Sequence, residues 1–130
     1  MTRWTFCVPI FPARDVPAAQ AWYREVLGVD VNWIWKDDFG SVGQDHVELF
    51  FYESAEPQPG MCFVFDDDVD ALHARAAERG AEIVGPLEDK AWNVREFSVR
   101  DPNGNVLRIG TSVPTTASPP EFTIPEEAHA

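Results

Sequence analysis

Along residues 3–11 the β-formers Trp4, Phe6, Val8 and Ile10 alternate with Thr5 and Cys7, a period of two that predicts a strand. Pro9 inside it offers no ladder N–H, so an edge position or a hinge is expected there. The period then lengthens. Ala18, Ala21, Trp22 and Val26 recur at helical spacing, behind an N-cap carboxylate at Asp15, with Pro17 in the first turn and Gly28 as the stop. Short strands follow at 29–35, 40–43 and 47–52, with turns at 36–38 and near Gln44 and Asp45. Residues 53–60, containing Pro57 and Pro59, read as a linker. After it the order restarts: an apolar strand at 61–65, a helix capped at Asp68 and running through Val69, Leu72 and Ala76 to Gly80, then strands near 82–84, 94–100 and 105–110.

The chain therefore repeats a βαβββ unit, about 3–53 and 60–110. A shift of 53 residues superposes Asp15, Val16, Ala18, Ala21 and Glu25 on Asp68, Val69, Ala71, Ala74 and Glu78. The expected class is α+β: one domain over 1–110, with two tandem modules forming a curved mixed sheet around a cleft. Residues 111–130, rich in Pro, Thr, Ser and Glu, are expected to be a tail anchored by little more than Phe122 and Ile124.

Charge narrows the function. The 130 residues carry a net charge of −12, a field that repels phosphate backbones and anionic lipid and favours a cationic partner. No run of apolar residues is long enough to cross a membrane as a helix, and no leader pattern opens the chain, so a cytoplasmic location is expected. Cys7 and Cys62 form no Cys-x-x-Cys pair, and both suit buried small hydrophobes. His46, His73 and His129 are expected at the surface. The aspartates at 66, 67, 68 and 70 lack the spacing of a calcium loop and suit the cap of the second helix.

Aromatic residues are the candidate chemistry. Five Trp, two Tyr and nine Phe exceed what two small cores require. Trp33 and Trp35 share one strand face and lead to Phe39 at the turn; Phe50 and Tyr52 share a face with Glu48; Trp92 stands between Lys90 and Asn93 in polar surroundings. Trp22 and Phe51 are expected in the core. Flat heteroaromatic ligands slide between such rings, and acids at the mouth attract a cationic arm.

The tandem modules, Arg14-Asp15-Val16, the segment Trp22-Tyr23-Arg24-Glu25-Val26-Leu27-Gly28 and Asp101-Pro102-Asn103-Gly104-Asn105 resemble the vicinal oxygen chelate superfamily. Asp37-Asp38-Phe39-Gly40, Val47-Glu48-Leu49-Phe50-Phe51, and Trp92 followed by Arg95-Glu96-Phe97 are similar to its bleomycin resistance proteins. That resemblance implies a homodimer that exchanges its first strand near Pro9, with two clefts at the subunit interface and drug rings held between Phe39 and Trp92. It further implies cleft lining by Trp33, Trp35, Glu48, Phe50, Cys62, Asn93 and Ser98. Enzymes of the superfamily bind a divalent metal at four positions, which fall here on Val8, Glu48, Met61 and Arg108. Valine has no donor atom, a thioether is too soft for the usual ions, and a guanidinium is a permanent cation. No metal or other cofactor is expected, and whether Arg108 pairs with Glu48 in the metal's place is a question the sequence leaves open. The function implied is sequestration of a bleomycin-like cationic glycopeptide without chemistry. The alternatives are a metal-dependent glyoxalase or dioxygenase with shifted ligands, and a binding protein for another small aromatic metabolite.

Overall fold

The computed structural model describes residues 2–114 and 121–125. Two four-stranded mixed sheets, each backed by one helix, follow in chain order. The first module runs β1 (Ile10–Ala13), α1 (Val16–Trp22), β2 (Asp30–Trp35), β3 (Phe39–Gln44) and β4 (Val47–Glu53). The second runs β5 (Met61–Phe65), α2 (Val69–Glu78), β6 (Glu82–Asp89), β7 (Val94–Arg100) and β8 (Val106–Ser112). Strand orders are β1-β4-β3-β2 and β5-β8-β7-β6, the same topology twice. In each sheet the strand before the helix runs parallel to the last strand, and the remaining neighbours are antiparallel.

Local chemistry sets the helix starts. The Asp15 carboxylate accepts from the Ala18 N–H (3.0 Å) and that of Asp68 from Ala71 (3.1 Å), so the aspartate run does cap α2. After Trp22 the helix widens into a π turn, Tyr23–Leu27, and ends on Gly28 in the left-handed region (φ 77°). Arg75 of α2 donates to the carbonyls of Val26 and Glu25 at that end, so one module caps the other's helix.

One face of each sheet packs on the helices. Phe51, Val42, Leu49, Phe97, Val99, Leu107 and Ile109 form this core with Val16, Tyr23 and Val69, all buried. The modules are also fastened by polar groups. The buried Tyr23 hydroxyl donates to Asp101 Oδ2 (2.7 Å), and Asn105 reaches Asp101 Oδ2 and the Pro12 carbonyl (both 3.0 Å). Burial, then the neighbouring Asp101 charge, raises the Tyr23 phenol well above its ordinary value. The folded form therefore holds a proton that the unfolded chain gives up. Stability from this group is intact through neutral pH and is expected to fall once pH rises beyond ~10, the unfolded tyrosine value. Chemical denaturation at pH 8 and pH 11 checks this, with Tyr23→Phe expected to lose less stability between the two.

Four expectations are corrected. The strand foreseen at 3–11 is only Ile10–Ala13: the Pro9 carbonyl accepts from Phe50 N–H (3.0 Å), and residues 2–9 lie outside any ladder. Trp4 and Phe6 are consequently 100% and 82% exposed, and Cys7, expected to be buried, is exposed with them. His73 is not a surface residue; its half-buried ring meets Phe97 edge-on at 5.0 Å. The last strand continues past residue 110, through Ser112, and the Val113 N–H then donates to the Asn93 carbonyl. Phe122 and Ile124 are exposed, and residues 115–120 and 126–130, His129 among them, lie outside the described residues.

Candidate functional site

Each sheet leaves the face opposite its helix open, and the candidate site residues divide between these two faces. On the first sheet, alternation places Phe39 and Ser41 of β3 with Glu48 and Phe50 of β4, while Val42, Leu49 and Phe51 point to the core. Between Val31 and Trp33 the register of β2 against β3 shifts by one residue, a bulge at Asn32. As a result Trp33 stands over Phe39 and Phe50, and the three rings form a closed triangle with centroids 5.3–5.5 Å apart, tilted by 50–69°. Gln20, buried in α1, secures the bulge by donating to the carbonyls of Trp33 (2.9 Å) and Ser41 (3.2 Å). Gly40 makes room for that amide, since a Cβ there would lie 2.5 Å from Gln20 Nε2.

A polar chain runs beside the triangle. Asn32 donates to the buried Ser41 hydroxyl (3.0 Å), which donates to Glu48 Oε2 (2.6 Å). One carboxylate oxygen is thus tied to the sheet beside three aromatic edges. Trp35, on the same strand face, is more exposed and carries the Lys36 ammonium 4.5 Å from its ring.

On the second sheet the open face carries Phe63 and Phe65 of β5, Ser98 and Glu96 of β7, and Arg108 of β8. Arg108 does not pair with Glu48. Its Nε and Nη2 donate to Glu96 Oε2 and Oε1, both at 2.8 Å, and the Trp92 indole donates to Oε1 at 2.9 Å. Ladder register decides this choice: Glu96 sits on β7, directly beside β8, whereas Glu48 belongs to the other sheet. Glu96 is 2% exposed, and the hydrogen bonds from Arg108, outweighing the cost of burial, hold its carboxyl below the usual range. Opposite it, Gly110 supplies the space, since a Cβ there would come within 3.1 Å of the Glu96 Cβ.

Among the predicted residues, Trp33, Phe39 and Phe50 are therefore brought together, with Glu48 beside them. Trp92 lies on the other sheet's open side, and among the described residues no ring contact joins it to Phe39 within the chain. Ser98 is half-buried and opposite Arg108. Asn93 forms the turn next to Trp92, in the left-handed region (φ 65°). Cys62 packs with the core, and burial pushes its thiol up to about 11. Asn32, Ser41, Phe63 and the Arg108–Glu96 pair were missed as site residues. For Ser41 and Phe63, alternation with Val42 and Val64 was the available signal. Where β4 meets β5, a groove of about 370 Å³ runs between Glu48 and Phe63, edged by Cys7, Pro9 and His46.

The four positions that would hold a divalent metal do not fit one. Val8 has no ligand atom, Met61 offers a thioether, Arg108 is a cation already committed to Glu96, and Glu48 accepts from Ser41. Among the described residues no group of three or more His, Cys, Asp or Glu is placed to hold a metal ion. No described helix is long and apolar enough to cross a membrane.

Residues 7–109 match the family model of the Glyoxalase/Bleomycin resistance protein/Dioxygenase superfamily. No curated protein matches the chain in sequence. Among solved structures, TioX from Micromonospora sp. ML1 superposes with a TM-score of 0.74 at 23% identity, covering 85% of this chain and 100% of that one. A bleomycin resistance determinant encoded on the transposon Tn5 gives 0.72 at 20% identity, covering 84% and 98%. Lactoylglutathione lyase from Agrobacterium tumefaciens gives 0.71 at 17%, covering 85% and 96%. At these identities the likeness establishes the shared fold.

Proposed function

The chain belongs to the Glyoxalase/Bleomycin resistance protein/Dioxygenase superfamily, and from that premise we propose that it sequesters a flat, cationic aromatic antibiotic of the bleomycin kind. Relatives in fold include both a bleomycin resistance determinant and a lyase. What favours binding over turnover is the chemistry at the four metal positions, which leaves no hard-ion donor set. The observation that carries the proposal is the triangle of Trp33, Phe39 and Phe50 beside the Glu48 carboxylate: ring edges for a planar group, and a fixed anion for its cationic arm.

A complete site needs two open faces. Each chain presents one on each sheet, with Trp35, Met61, Phe65 and Trp92 all well exposed, and an arm of residues 2–9 bearing Trp4 and Phe6 uncovered. A homodimer that exchanges this arm about Pro9 buries those groups and sets the first sheet of one chain against the second sheet of its partner. In it, a drug ring lies between Phe39 of one protomer and Trp92 of its partner, lined further by Asn93 and Ser98. Light scattering of the purified protein is expected to give a dimer, and removal of residues 1–9 a monomer with weakened drug binding. A monomeric full chain that binds drug at full strength contradicts the exchange.

Glu48 acts as counter-charge in this arrangement. Glu48→Gln is expected to weaken bleomycin binding several-fold at low salt and to flatten the loss of affinity as salt rises. Calorimetric titration at two ionic strengths reads both effects. Equal salt dependence in the variant and the parent places the cationic arm elsewhere.

A further inference from the structure

The second sheet holds a cation that the stacking of a drug ring leaves unused. The Arg108 guanidinium lies 5.1 Å from the Phe63 ring and 5.8 Å from the Trp92 ring, and its side chain is 36% exposed. It is not a loose surface arginine. Nε and Nη2 form a side-on fork with the buried Glu96, which also accepts from the Trp92 indole, so the group is fixed in plane and position. A guanidinium has five N–H donors, and a side-on fork uses two. The end-on edge, one Nη1 hydrogen and the second Nη2 hydrogen, makes no hydrogen bond among the described residues. That edge is a ready-made second fork for two coplanar oxygens, flanked by two aromatic rings.

We propose that Arg108 is a specificity-determining residue that reads a carboxylate, or an equivalent coplanar pair of acceptor oxygens, on the rim of a flat aromatic ligand, a proposal that rests on the aromatic-ligand reading above. The ligand is then amphoteric in its contacts. A cationic arm goes to Glu48 on one sheet, and acceptor oxygens go to Arg108 on the other. Because Glu96 balances the charge of Arg108, the selection comes from the geometry of the fork more than from net charge. The chain's overall negative charge does not provide it.

The test compares two probes of equal ring size on the full-length protein, 2-naphthoate and 2-naphthalenemethanol, by tryptophan fluorescence and calorimetry. The expected result is a preference for the carboxylate of about tenfold or more. In Arg108→Lys, which keeps a cation beside Glu96 but cannot form a second fork, that preference is expected to vanish. Circular dichroism and thermal unfolding establish that the variant is folded. Should it not fold, the comparison of the two probes on the parent protein decides alone. Equal affinity for both probes, or a preference that survives in Arg108→Lys, overturns the proposal. A preference for naphthoate with no response to bleomycin removes the antibiotic reading and leaves Arg108 as an oxygen-pair reader. Saturable bleomycin binding with no naphthoate preference does the reverse.

Discussion

Asp101→Ala is expected to lower the free energy of unfolding by about 3 kcal/mol and the midpoint of thermal unfolding by about 10 °C. The carboxylate is 4% exposed and accepts four hydrogen bonds. The Tyr23 hydroxyl and Asn105 Nδ2 go to Oδ2, and the Asn103 and Asn105 N–H groups go to Oδ1 at 2.8 and 3.0 Å. Truncation leaves a buried phenol and a buried amide short of partners, each costing about 1–3 kcal/mol, partly recovered by water reaching the turn. The loss is structural as well as local, because Asn105 also accepts from Gly60 N–H and donates to Pro12, tying linker and first strand to the second module. Urea denaturation checks it. Tyr23→Phe is expected to lose about a third as much, since only one bond goes and the ring keeps its place against Phe51 (centroids 4.9 Å). A loss under 1 kcal/mol in Asp101→Ala would mean that the Asp101 network contributes little to holding the modules together.

The second large effect is on binding. Trp92→Ala is expected to weaken bleomycin binding about tenfold or more, because a stacked ring contributes ~0.5–1.5 kcal/mol beyond its area and the indole brings considerable apolar area with it. The side chain is 47% exposed in the free chain, so its removal leaves no cavity and folding should be preserved. It also removes one of the three donors to Glu96, but Arg108 keeps both of its bonds and the carboxylate stays ionised. Fluorescence of the remaining tryptophans, or calorimetry, reports the change. Unaltered affinity contradicts stacking on Trp92.

Much of the fold was legible in the sequence because its signals are local. Asp15, Pro17 and Gly28 mark the ends of the first helical segment, and Asp68 the start of α2, through caps that act within four residues. Strand alternation placed Leu49 and Phe51 inward and Glu48 and Phe50 outward. What depended on pairing was not legible. The period of two across residues 3–11 is real, yet alternation does not say whether a neighbouring strand edge lies in the same chain, and the ladder stops at Pro9. Whether Arg108 pairs with Glu48 could not be read from equivalent positions in two modules; sheet register gives it Glu96, a residue whose role only the pairing of β7 and β8 reveals. That Asn32 forms a bulge, secured by Gln20 and closing the aromatic triangle, required the register of β2. His73 read as a surface position from its place in the middle of a helix, while Phe97 comes to meet it from another element.

Titrating the intrinsic tryptophan fluorescence of the purified protein with bleomycin, with and without copper, and recovering the drug afterwards by mass spectrometry, puts the central claim to the test most directly. Capture without turnover gives saturable quenching at one drug per chain and an intact drug on release. A flat titration, or a recovered drug with altered mass, contradicts it.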